Sequence, residues 1–210
     1  MQQRIRQIQF EFKELRGLWL IPPFLLGLMV LFSPTQQSME AERYVIMIYQ
    51  LLAPLIASLA VLYSAQKFYD RQTGELIQSF NPNHGKIKRE IILFFSLFYT
   101  IISLLALLLI ARRQSLSSSA IYIHSFFQHA VFISIGITGL KYSKDIVVGI
   151  FLVMTVLSVH VVGLLPILQY TRPVMLFPSG FLELSPVLLI TLGIYLLIVG
   201  LINRIIPKRW

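Results

Sequence analysis

The chain has 210 residues, 56% of them hydrophobic and 13% charged, with a formal net charge of +9 and no cysteine. That composition excludes disulfide frameworks, thiolate metal sites and cysteine nucleophiles together, while the net charge alone would admit a nucleic-acid partner. The apolar residues fall in long uninterrupted runs.

Ile5, Ile8, Phe12, Leu15 and Trp19 recur at spacings of three and four, with Arg4, Arg6, Glu11, Lys13 and Arg16 on the remaining arc. One apolar stripe and one charged face predict an amphipathic helix over residues 1–17 lying along the inner membrane surface. The alternative is a solvated tail. Six apolar runs then follow: Leu18 to Phe32, Tyr44 to Ser64, Ile91 to Ala111, Ala120 to Leu140, Ile146 to Leu168 and Val187 to Asn203. Runs approaching about 20 residues match a hydrocarbon core of about 30 Å. Lipid offers backbone amides no partner, so spans without alternating polarity must be helices. The expected fold is an all-α membrane protein with six transmembrane helices and an N-terminal interfacial helix, in one domain covering residues 1–210.

Pro22-Pro23 breaks the start of the short first span, and Pro54 marks a kink in the second. Beside it, Ala53, Ala57, Ala60 and Ser64 make a small-residue stripe that lets helices approach closely, or alternatively lines a pathway. Of the 18 Lys and Arg residues, only Arg43, Arg112, Arg113 and Arg172 lie on the segments opposite to the N-terminus. This asymmetry orients both termini to the cytoplasm. It also accounts for the net charge without nucleic acid.

Between the second and third spans runs a basic cytoplasmic loop, residues 65–90. Thr73-Gly74 signals a turn, and Glu75 to Phe80 reads as a short amphipathic helix stopped by Asn81-Pro82-Asn83-His84-Gly85. Exposed Leu76, Ile77 and Phe80 on such a loop invite a partner groove; the alternative is an ordinary charged re-entry loop. No phosphate-binding loop is present, because Gly85-Lys86 is followed by Ile87 and Phe80 stands where the first glycine would be. No Asp, Glu, Lys or Arg falls well inside the spans, so a charged relay within the bilayer is absent from the sequence.

Tyr69-Asp70-Arg71-Gln72-Thr73-Gly74-Glu75-Leu76, followed by Gly85-Lys86-Ile87 and the third span, resembles the segment after the second span of ATP-binding-cassette (ABC) transporter permeases of the type-2 exporter class. The resemblance extends to the interfacial helix, the six spans and an apolar outer segment, residues 168–186, similar to that family's re-entrant helix. The sequence departs from the family in Glu75, where a threonine is common, and in its short length. The resemblance implies that Asp70, Arg71, Thr73, Gly74, Glu75, Leu76, Ile77 and Phe80 couple to a separate cytoplasmic ABC ATPase. It also implies a second permease copy, identical or paralogous, and a bacterial plasma membrane. The chain itself is then a transport subunit rather than an enzyme, with no catalytic residue, metal or cofactor of its own; ATP and magnesium belong to the ATPase. The charge-free spans suit an amphiphilic cargo such as a hydrophobic peptide, lipid-like molecule or drug.

A competing reading is an intramembrane hydrolase or a haem- or metal-handling protein built on His124, His129 and His160. Five residues at about 100° each place His124 and His129 about 140° apart around their helix, which favours hydrogen-bonded or pathway-facing histidines over ligands.

Overall fold

The computed structural model describes residues 9–10, 12–15, 17–33, 39–70, 84–113, 119–162, 193 and 200. Every regular element among them is helical: a 3₁₀ turn Leu18–Leu20, α1 Ile21–Leu31, α2 Met39–Ala65 continued by a 3₁₀ turn Gln66–Phe68, α3 His84–Arg113, α4 Ser119–Ser143 and α5 Ile146–Val162. The stretches Ile48–Phe68 and Gly85–Arg113 are long and apolar enough to cross a membrane. Outside the described residues lie the beginning of the expected interfacial helix, the loop from Arg71 to Asn83, the outer segment 168–186 and, apart from Gly193 and Gly200, the sixth apolar run.

Pro22 and Pro23 start α1 rather than interrupt it. They occupy its first turn, where backbone N–H groups have no intrahelical acceptor and a fixed φ costs nothing. The far end of α1 is closed from another helix. Arg113 Nη1 donates to the carbonyls of Val30 at 2.6 Å and Leu31 at 3.4 Å, placing a cation at the negative end of α1. The C-termini of α1 and α3 therefore lie together.

α2 runs through the centre, packed against α3, α4 and α5. Its helix continues across Pro54, whose ring nitrogen cannot donate to the carbonyl of Gln50 four residues before. The released carbonyl accepts instead from Gln128 Nε2 of α4, at 3.3 Å in the buried interior. An unpaired carbonyl is costly in an apolar interior, and here a side chain from a neighbouring helix supplies the donor. Ser58 Oγ also turns back on Pro54 O at 2.6 Å. Around this point Leu26, Val30, Tyr49, Ala53, Leu107 and Ile110 form one core cluster, and Ala57, Val61, Phe95, Tyr99 and Ile133 form another towards the opposite end.

The hairpin of α4 and α5 closes more tightly than any apolar side chain would allow. A Cβ built on Gly149 would lie 2.9 Å from the carbonyl oxygen of Gly136 and 3.4 Å from Leu140 N, and one on Gly139 would lie 3.0 Å from Gly149 Cα. Backbone meets backbone here, so glycine is a requirement of the crossing. The turn is set by Lys144 in the left-handed region (φ 59°) and by Asp145, whose Oδ1 accepts from Val147 N at 2.8 Å to cap α5.

Two stability predictions follow from these contacts. Gly149→Val should lower stability in detergent by about 1–3 kcal/mol, the usual cost of overpacking, while Gly27→Ala, with open space around the added methyl, should not. Gln128→Leu should cost about 1–3 kcal/mol by orphaning Gln50 O, and distinctly less in a Pro54→Ala background, where the helix regains its own donor; a double-mutant cycle of denaturation midpoints measures the difference.

Candidate functional site

The last turn of α2 and the first of α3 meet at the end of the bundle from which the basic loop departs. Of the residues expected to couple to a partner, Asp70 falls here; Arg71, Thr73, Gly74, Glu75, Leu76, Ile77 and Phe80 lie outside the described residues. Lys67 and Lys88, two of the positive charges of the basic loop, organise the junction.

Lys88, in the first turns of α3, reaches across to the end of α2. Its Nζ lies 3.3 Å from the Tyr69 ring centroid and 3.4 Å from Phe68 O, to which it donates. A cation over an aromatic face, with a carbonyl to share its protons, joins the two strands of chain that bound the loop. The Tyr69 phenol is held out of water by the same packing, and burial pushes its pKa up to about 12.

Lys67 turns the other way and pairs with Glu14 of the N-terminal segment. Its Nζ also lies 5.3 Å from the Phe68 ring and 6.0 Å from Phe10. Next to this pair, Phe12 inserts its ring among Trp19, Phe94, Phe95 and Phe98 at centroid distances of 5.1, 6.0, 5.4 and 5.6 Å, all edge-on. Edge-to-face aromatic contacts add to the burial itself. The described members of the amphipathic stripe thus face the bundle: Phe12 and Leu15 pack on the cluster that holds Phe68, Ile91 and Phe95. An open cleft of about 310 Å³ lies between this segment and α2, lined by Glu14, Leu15, Tyr63, Ser64, Gln66, Lys67 and Asp70. The sequence signal for this docking was present in the spacing of Phe12 and Leu15, but the same spacing suits a lipid surface.

The small-residue stripe packs. Ala53 and Ala57 are fully buried against α3, Ala60 lies beside the same cluster, and the buried Ser64 hydroxyl donates to Ala60 O at 2.8 Å. Of the three span histidines, His129 is fully buried in α4, with Nδ1 2.6 Å from Ser125 O and its ring 6.4 Å from that of Tyr49. The Tyr49 hydroxyl donates to Ser103 O of α3 at 2.8 Å. The backbones of His124 and His160 lie in α4 and α5, and their side chains fall outside the description. Among the described residues no group of three His, Cys, Asp or Glu side chains comes together.

Comparison with protein-family models, with curated proteins and with solved structures finds no match. Its described residues form a helical bundle with two helices long and apolar enough to cross a bilayer and a clasped basic junction at one end.

Lys88→Met should loosen that junction. Hydrogen exchange at the Tyr69 and Asp70 amides, which bond to Gln66 O at 2.9 Å each, should accelerate by about tenfold, with little change at the centre of α2.

Proposed function

We propose that this chain is a membrane-embedded permease subunit of an ATP-driven exporter of the ABC type. It forms half of a translocation pathway with a second permease copy, and a separate cytoplasmic ATPase moves it through the loop that begins at Asp70. The observation that carries this reading is the clasp at the two ends of that loop. Lys88 ties the start of α3 to Phe68 and Tyr69, and Lys67 ties the end of α2 to Glu14, so a force on the loop reaches α2, α3 and the N-terminal segment together. A flexible re-entry would dissipate such a force; a clasped one transmits it.

The surface supports a bilayer setting. Leu93, Leu97, Ile101, Leu105 and Leu109 recur every four residues along α3, and each is half or more exposed. A stripe of that length and apolarity in water would be a large adhesive patch, whereas hydrocarbon covers it at no cost. No Asp, Glu, Lys or Arg lies in the middle of the spans, so energy enters from outside the bilayer, and an amphiphilic cargo is the chemistry such walls accept.

The test is reconstitution of the tagged chain with a candidate ABC ATPase from the same genome. Glu75→Lys and Phe80→Asp should each weaken ATPase binding by about tenfold or more, as loss of an interface anchor does, and abolish nucleotide-dependent transport of an amphiphilic dye. Variants that bind and transport normally, or a chain fully active with no nucleotide-hydrolysing partner, would overturn the reading.

A further inference from the structure

Several helical serines and threonines in this bundle bond back onto their own helix, and two deeply buried serines do not. Ser58, Ser64, Ser96, Thr138 and Ser143 each turn their hydroxyl back on the carbonyl four residues earlier, at 2.6 to 2.8 Å. Ser103 of α3 and Ser125 of α4 do not, although they are 0% and 1% exposed, and their hydroxyl oxygens have no protein partner. One turn along α4 from Ser125, the fully buried His129 leaves its Nε2 equally without a partner. Tyr49 links the two helices, its hydroxyl on Ser103 O and its ring beside His129.

The chemistry of these atoms defines what complements them. His129 Nδ1 faces the carbonyl of Ser125, which can only accept, so Nδ1 carries the ring proton and Nε2 presents a lone pair. The missing group must therefore donate to Nε2. Two serine hydroxyls can donate to that group in return, and the Tyr49 oxygen retains a lone pair while its proton is on Ser103 O. A cation would find no carboxylate, since α2, α3 and α4 carry no acidic residue at this level. An anion would meet the lone pair of Nε2. An orphaned polar atom in an apolar interior is costly, and neither lipid nor an apolar side chain relieves it.

We infer that Tyr49, Ser103, Ser125 and His129 form an internal binding site for a small neutral hydroxyl-bearing guest, water being the smallest and the alcohol group of a solute the alternative source. The hydroxyl donates to His129 Nε2 and accepts from the serines, joining α3 to α4 across Tyr49. This inference rests on hydrogen-bond complementarity alone and stands whether or not an ATPase drives the chain.

The natural absence of cysteine makes the site directly testable. Ser125→Cys and Ser103→Cys, near-isosteric replacements, are treated with a small charged methanethiosulfonate beside Val131→Cys, which is equally buried on α4 among apolar neighbours. Only a thiolate reacts, and it forms only where a hydroxylic guest solvates it, so the serine positions should label about tenfold faster than Val131→Cys. Slowing by a saturating small alcohol identifies an alcohol as occupant; labelling unaffected by it identifies water. In the unsubstituted chain, the ¹⁵N signal of His129, assigned by its loss in His129→Gln, should show Nε2 as a hydrogen-bonded acceptor. Labelling no faster than at Val131→Cys, together with an Nε2 signal typical of an unbonded lone pair, would overturn the inference.

Discussion

The carbonyl of Gln50 is the point on which the centre of this bundle turns. Pro54 withdraws its donor, and an unpaired oxygen in this apolar interior would oppose the packing of the helices around it. Gln128 supplies the replacement from 78 residues away in sequence, which fixes the axial register of α4 against α2. Once that register is set, Ser125 and His129 come to the level of Tyr49, and the glycines further along α4 come to the level where α5 crosses. A single proline in α2 thus determines where the polar atoms of α4 sit relative to α3.

The helices themselves were legible from the apolar runs, because a chain surrounded by lipid or by other apolar side chains has little choice but to bond its backbone internally. Runs two to four coincide with α2 to α4, the described part of run five coincides with α5, and the role of Pro22-Pro23 changed from a break to a helix start. Packing was much less legible. α4 and α5 show no clear apolar stripe, so their residue spacing does not mark an inward face, and the demand for glycine at 139 and 149 emerges only when the two helices are placed together. The Ala53 to Ser64 stripe was readable as a close-packing surface because small residues at helical spacing have one dominant use.

The candidate site was half readable for a related reason. Asp70 and the basic loop announce themselves by composition, and charge in so apolar a chain is conspicuous. The partners of Lys67 and Lys88 are not announced, since any of several acids and rings could have met them. An amphipathic helix ahead of the first span reads equally well against headgroups or against protein. Phe12 chose protein because Phe94, Phe95 and Phe98 offer a ring of edges and faces that headgroups cannot.

Arg113 ties the last residue of α3 to the last turn of α1 by hydrogen bonds that tolerate only a fraction of an ångström of slippage. The two helices are therefore obliged to travel lengthwise as a single strut. A displacement received where α3 begins would be carried to the other end of the bundle by the longest of the described helices and delivered to the shortest described α-helix.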